Sequence, residues 1–188
     1  MKRKKFEAKP ANPYPQAPKF DYAKLTLDKG RKVANYYPFN FQYADYYALI
    51  GNKFEMVREY LDYVETQPTM YESIQLAMNQ RMKLSSSEEP DFILLKEALL
   101  IKAQKSNSNL VFSEMIIWLY VQSKNFGGAY TQVVALDKRT SNDGFRVQDL
   151  GLICLENKDY TSARKCFNYV MNLGENGPIY FEALKSLL

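Results

Sequence analysis

Histidine is absent from the 188 residues, and only two cysteines, Cys154 and Cys166, are present. Without histidine there is no Ser-His-Asp or Cys-His arrangement for nucleophilic catalysis. Two thiols without an imidazole are also a poor zinc site. Two cysteines are too few for a disulfide framework, so their expected role is that of small buried hydrophobes. They fall twelve residues apart on two predicted helices, which leaves open whether they face each other. No apolar run approaches the ~18 residues of a membrane span. Met1-Lys2-Arg3-Lys4-Lys5 has the charge of a signal-peptide start, but no apolar stretch follows it. The chain therefore reads as soluble and cytoplasmic by default, or periplasmic or exported where a signal has been removed upstream. A phosphate loop is missing as well: Gly127-Gly128 lacks the third Gly, the Lys and the Ser/Thr that cradle a phosphate. That pair is expected to serve tight packing at a helix start. Glu88-Glu89 falls in a polar loop, where water solvates it. These absences point away from an enzyme, and no cofactor, metal or small-molecule substrate is expected.

What the chain has in abundance is apolar and aromatic mass. Hydrophobic residues make up 46% of it, with 15 Tyr and 11 Phe, enough for a substantial core. Tyrosine buries a large ring but needs a partner or water for its hydroxyl. The net charge of +4 is unevenly spread. Residues 1–33 hold ten Lys and Arg against three Asp and Glu, and the remainder holds fifteen against eighteen. A nucleic-acid-binding domain carries its basic patch on the folded body, and here the body is slightly acidic. Only the N-terminal arm is basic.

Pro10, Pro13, Pro15 and Pro18 keep residues 1–19 from forming a helix and favour an extended lead-in. Residues 20–35 predict a short helix interrupted at Gly30, with Leu25 and Leu27 available for packing. From Pro38 onward the apolar residues recur at three- and four-residue steps, as in Val57, Tyr60, Leu61 and Val64, which is helical periodicity. Pro38, Pro68, Pro90 and Pro178 fall where helices begin, a position that tolerates the missing N–H. The predicted helices are Phe39–Ile50, Lys53–Thr66, Thr69–Leu84, Pro90–Lys105, Asn109–Ser123, Phe126–Arg139, Gly144–Asn157, Thr161–Leu173 and Pro178–Leu188. Short connections force neighbours antiparallel. Helix Pro90–Lys105 is apolar nearly all round, so it is expected to be covered on more than one side.

The stretch Leu110–Leu173 repeats itself at a spacing of 34 residues. Lys124-Asn125-Phe126-Gly127-Gly128-Ala129 returns as Lys158-Asp159-Tyr160-Thr161-Ser162-Ala163. Ile116, Tyr120, Val133 and Leu136 return as Leu150, Cys154, Phe167 and Val170. The frame steps back onto Phe92, Leu95 and Leu99. With four extra residues, placed in Ser85-Ser86-Ser87-Glu88-Glu89, it reaches Phe54, Val57 and Leu61. A fixed period of this size marks a stacked repeat architecture. The organisation expected is a basic, Pro-rich, partly disordered arm over 1–37. A repeat domain over 38–188 follows, with units 38–71, 72–109, 110–143, 144–177 and a half unit 178–188.

These residues resemble the tetratricopeptide repeat, whose 34-residue unit carries Trp-x-x-Leu-Gly-x-x-Tyr on its first helix and Ala-x-x-x-Phe on its second. Here Val147-x-x-Leu150-Gly151-x-x-Cys154 is followed by Ala163-x-x-x-Phe167, and Ser113-x-x-Ile116-Ile117-x-x-Tyr120 by Ala129-x-x-x-Val133. The resemblance is clear over 110–177, degenerate over 38–109 and absent from 1–37. It implies an all-α, right-handed superhelical stack of antiparallel helix pairs, about nine helices in a solenoid. Gly151, Ala129 and Ala163 are the small residues that let helices approach, with Phe167 and Leu150 filling the space between them.

In this family the first helices line a concave groove that contacts peptide ligands. Carried over residue by residue, the candidates are Val111, Glu114, Trp118 and Gln122 in one unit and Phe145, Gln148, Leu152 and Glu156 in the next. Some members clamp a C-terminal carboxylate with Lys, Asn and Arg. The matching slots here hold Glu114, Trp118, Phe145 and Asp149, so that mode is disfavoured. Trp118, the only Trp, serves either as packing between repeats or as an aromatic anchor for a partner. The aromatic cluster Tyr36, Tyr37, Phe39, Phe41, Tyr43, Tyr46 and Tyr47 either caps the N-terminal end of the stack or forms a second binding patch.

The function expected is a non-catalytic scaffold binding another protein's peptide or helix in the groove. One alternative is nucleic-acid association through Lys2–Lys5 and Lys32, disfavoured by the acidic body. The other is a segment of a longer array that self-associates through Phe181, Leu184, Leu187 and Leu188, an apolar face that calls for a cap.

Overall fold

The computed structural model describes residues 18–105, 110–141 and 143–187. The basic run Lys2–Lys5, the prolines up to Pro15 and Leu188 lie outside them. Among the described residues the chain is all-helical and has no strand. Ten α-helices follow one another: α1 (Pro18–Val33), α2 (Asn40–Leu49), α3 (Lys53–Thr66), α4 (Tyr71–Arg81), α5 (Pro90–Lys105), α6 (Val111–Gln122), α7 (Phe126–Thr140), α8 (Phe145–Glu156), α9 (Tyr160–Met171) and α10 (Tyr180–Leu187). A single 3-10 turn, Pro68–Met70, leads into α4. None of these helices is long and apolar enough to cross a membrane. The chain divides into two compact units, Met1–Tyr63 and Val64–Leu188, the division falling inside α3.

In the first unit α1 runs unbroken through Gly30, contrary to the interruption expected from the sequence. The reason is a close approach: the ring of Phe39 lies 3.1 Å from where a Cβ of residue 30 would sit, so glycine is kept here for space. Leu25, expected to pack, is 63% exposed. Polar contacts hold α1 instead. Arg31 forms a forked ion pair with Glu59 of α3, at 2.8 and 3.3 Å. Its guanidinium also lies 3.8 Å over the ring of Tyr43 in α2. Glu59, though a carboxylate, is 4% exposed, and its other donor is the side-chain amide of Asn40 at 2.9 Å. Tyr43 donates its hydroxyl to Asp28, which also pairs with Lys24 at 2.8 Å. The bond from Lys24, then that from Tyr43, holds the Asp28 carboxyl below its usual range. The aromatic cluster therefore splits. Tyr43 and Tyr46 are buried, Phe41 packs edge-on against Tyr60 and Tyr63, and Tyr36 stands 88% exposed.

In the second unit successive helices pack in order: α5 on α6, α6 on α7, α7 on α8, α8 on α9 and α9 on α10. Contacts also skip a helix, between α4 and α6 and between α7 and α9. The sequence period has a local counterpart in the turns. Lys124 and Lys158 both adopt left-handed backbone, at φ 54° and 61°. Asn125 and Asp159 both cap the next helix by accepting from the N–H three residues on, Gly128 at 2.9 Å and Ser162 at 3.0 Å. Each such cap contributes about 1 kcal/mol. Asn52 caps α3 in the same way, with Glu55 as donor at 3.2 Å. That cap sets the first pair one residue away from the frame drawn through Phe54. Phe54 is accordingly 48% exposed, whereas Phe92 and Phe126 are buried.

The core of this unit joins Phe126, Ala129 and Val133 to Val147, Leu150, Ala163, Phe167 and Val170. A Cβ at Gly151 would lie 2.5 Å from the ring of Phe167, and one at Gly128 2.8 Å from Tyr120, while Gly127 meets nothing. Cys154 and Cys166 are both buried and free. They do face each other: the Cys166 side chain hydrogen-bonds Cys154, lowering the Cys154 pKa and raising that of Cys166. Besides Asp91, helix α5 buries only the stripe Phe92, Leu95 and Leu99. Ile93 and Ile101 stay 46% and 48% exposed, so the cover on more than one side expected for this helix does not extend to them. One helical face holds residues at steps of three and four, and apolar side chains outside that stripe point away from the core.

Candidate functional site

The second unit holds a groove of about 340 Å³ between α4, α6 and α8. Tyr71 and Gln75 contribute from α4, four residues apart on one face. Helix α6 supplies Glu114, Ile117, Trp118 and Val121, again a single helical stripe. From α8 come Arg146, Asp149, Leu150 and Ile153, and Val133 of α7 forms part of the floor. The lining is mostly apolar, with Tyr71, Gln75, Glu114, Arg146 and Asp149 as its polar members. Arg146 crosses from α8 to pair with Glu114 of α6 at 2.9 Å, and also reaches Thr140 at 3.4 Å. Tyr71 donates to Glu72 at 3.1 Å; burial first, and this bond second, raise its pKa. Asp149 is exposed and has no ion pair or hydrogen bond among the described residues. No cluster of three or more potential metal ligands occurs among the described residues.

The chain matches no family model, no curated protein and no solved structure.

Of the eight residues carried over from the resemblance, Glu114 and Trp118 line this groove. Val111 and Gln148 are 6% and 5% exposed and offer almost no surface. Gln122 accepts from the Asn79 amide at 3.0 Å, tying α6 to α4, and borders a smaller depression of about 250 Å³ beside Met82, Lys83 and Leu84. Phe145, Leu152 and Glu156 are exposed on α8 but do not line the groove. The slots carried over leave out the lining residues Ile117, Val121, Leu150 and Ile153 for a geometric reason. Two neighbouring helices turn opposite flanks toward the cleft between them. Transferring slots by a fixed step of 34 selects the same flank on each helix. The signal was present in the apolar residues at 117 and 121 on α6 and at 150 and 153 on α8.

On α10, Phe181 is exposed, whereas Leu184 and Leu187 are partly covered. The latter two are therefore less available as a self-association face than their sequence alone implies.

Proposed function

We propose that the chain is a tetratricopeptide-like helical array acting as a non-catalytic scaffold. Its antiparallel helix pairs stack as a right-handed solenoid. A peptide or helix from another protein binds in the groove between α4, α6 and α8. The observation that carries this reading is the groove itself: an apolar stripe around Trp118 and Ile153, open to solvent, with a few polar groups around it. Such composition suits a binding surface, since apolar anchors supply affinity and polar rims supply orientation. The stacked architecture is supported by the matching turns at Lys124-Asn125 and Lys158-Asp159 and by the α4–α6 and α7–α9 contacts.

Selection of peptides from a display library against the whole chain tests the reading. Enriched peptides are expected to lose about tenfold or more in affinity to Trp118→Ala, a loss of roughly 1.4 kcal/mol or more. They should also shift the fluorescence of this single Trp. A selection that enriches nothing, or peptides indifferent to both Trp118→Ala and Ile153→Asp, would reject it.

A further inference from the structure

We infer that the groove selects a partner segment in which an apolar anchor is bracketed by Lys or Arg, an inference that rests on the groove being a binding site. The charges around the cleft are unequal. Its one lining cation, Arg146, is already engaged with Glu114 at 2.9 Å. Asp149, in the lining, is exposed and unpaired among the described residues. Glu156 is exposed and likewise unpaired. It follows Asp149 by seven residues, which brings it back to nearly the same face of α8, ~10 Å along the axis. Between them on that face lies Ile153, one of the apolar groove residues. That face of α8 thus reads carboxylate, apolar, carboxylate, with Asp149 and Ile153 lining the cleft and Glu156 about one turn beyond them.

An acidic segment laid along this face meets two uncompensated like charges, and like-charge juxtaposition disfavours wrong partners. A segment with cations about 10 Å apart satisfies both carboxylates while its anchor reaches Trp118. That separation corresponds to an i, i+7 pair on a helix or an i, i+3 pair on an extended polyproline II segment, each of which returns to the same face. The ligand class is therefore a cationic, apolar-anchored peptide, and the spacing of its charges distinguishes a helical from an extended mode.

The test uses fluorescent peptides with one fixed Leu anchor flanked by Lys, by Gln or by Glu, in both spacings, titrated against the full chain. In low salt the better Lys peptide is expected to bind about two- to tenfold more tightly than its Gln counterpart, as two exposed ion pairs allow, with the Glu peptide weakest. The advantage should shrink in 0.5 M salt, where exposed charges are screened. Asp149→Asn with Glu156→Gln should reduce the Lys peptide to the Gln level. Both positions are exposed, so unchanged melting of this variant is expected and separates lost recognition from lost folding. Equal binding of all three peptides, abolished by Trp118→Ala, would overturn the charge preference and leave the groove reading standing. Preference for the Glu peptide would overturn it too. Failure of every peptide to bind would count against both.

Discussion

Phe167 of α9 lies so close over Gly151 of α8 that a Cβ on residue 151 would sit 2.5 Å from the ring. Two effects oppose each other in Gly151→Ala. Alanine gains about 1 kcal/mol of helix propensity over glycine. Overpacking a filled core costs typically 1–3 kcal/mol, and Phe167 is itself fully buried. Overpacking wins, with an expected net loss of about 1 kcal/mol in urea unfolding. Phe167→Leu should recover part of that loss, so the double-mutant cycle should show a coupling of about 0.5 kcal/mol or more. Additive single effects would mean that the helices part readily here.

Tyr169 donates to the buried carboxylate of Asp137 at 3.1 Å. Burial first, and this bond second, push its pKa up from 10.0 to about 12. A folded-state pKa raised above the unfolded value gives stability that is fully present below pH 10 and lost as pH rises toward 12. Other tyrosines shift the same way, so the informative quantity is a difference. The stability gap between the native chain and Tyr169→Phe should be constant from pH 7 to 9 and close above pH 10. A gap that stays constant through pH 12 would show that the phenol is not held protonated by the fold.

Arg31 is the partner that keeps the Glu59 carboxylate compensated in the first unit. Removing one member of a buried ion pair typically costs 3–5 kcal/mol. Arg31 is itself partly exposed, so Arg31→Met should fall below that range, at about 2–3 kcal/mol by chemical denaturation. Changing Glu59→Met as well should restore part of the loss. The expected ordering is native, then double variant, then Arg31→Met.

Gln148 carries a buried side-chain oxygen with no hydrogen-bond partner among the described residues. An unmet buried acceptor costs roughly 1–3 kcal/mol. Gln148→Met keeps length and removes the polar atom, so the melting temperature should rise, by an amount equivalent to about 1 kcal/mol. A lower melting temperature would place a water or an unrecognised donor at that oxygen.

The helices were legible because their periodicity is local. The bounds of α3 and α5 coincide with those read from the sequence, and the others differ by a few residues at most. The close pairing of Gly151 with Phe167 was legible too, because a glycine inside an apolar helical stripe invites a neighbour. The network of Asp28, Arg31, Tyr43 and Glu59 was not. Charged residues at scattered positions look solvated until the fold brings α1, α2 and α3 together. The slots carried over from the resemblance include Glu114 and Trp118 of the groove lining but none of its α8 residues, because a fixed step of 34 cannot say which flank of α8 turns toward α6.

Asp137 belongs to one 34-residue unit, while its two donors among the described residues, the Gly144 N–H at 3.1 Å and the Tyr169 hydroxyl, belong to the next. A chain cut at that boundary would strip a buried carboxylate of both donors at once. The segment that the sequence repeats is therefore not expected to fold by itself as a cooperative unit. Loss of structure in either unit should propagate through residue 137 into the other, and swapping units as modules requires carrying the Asp137 contacts across the junction.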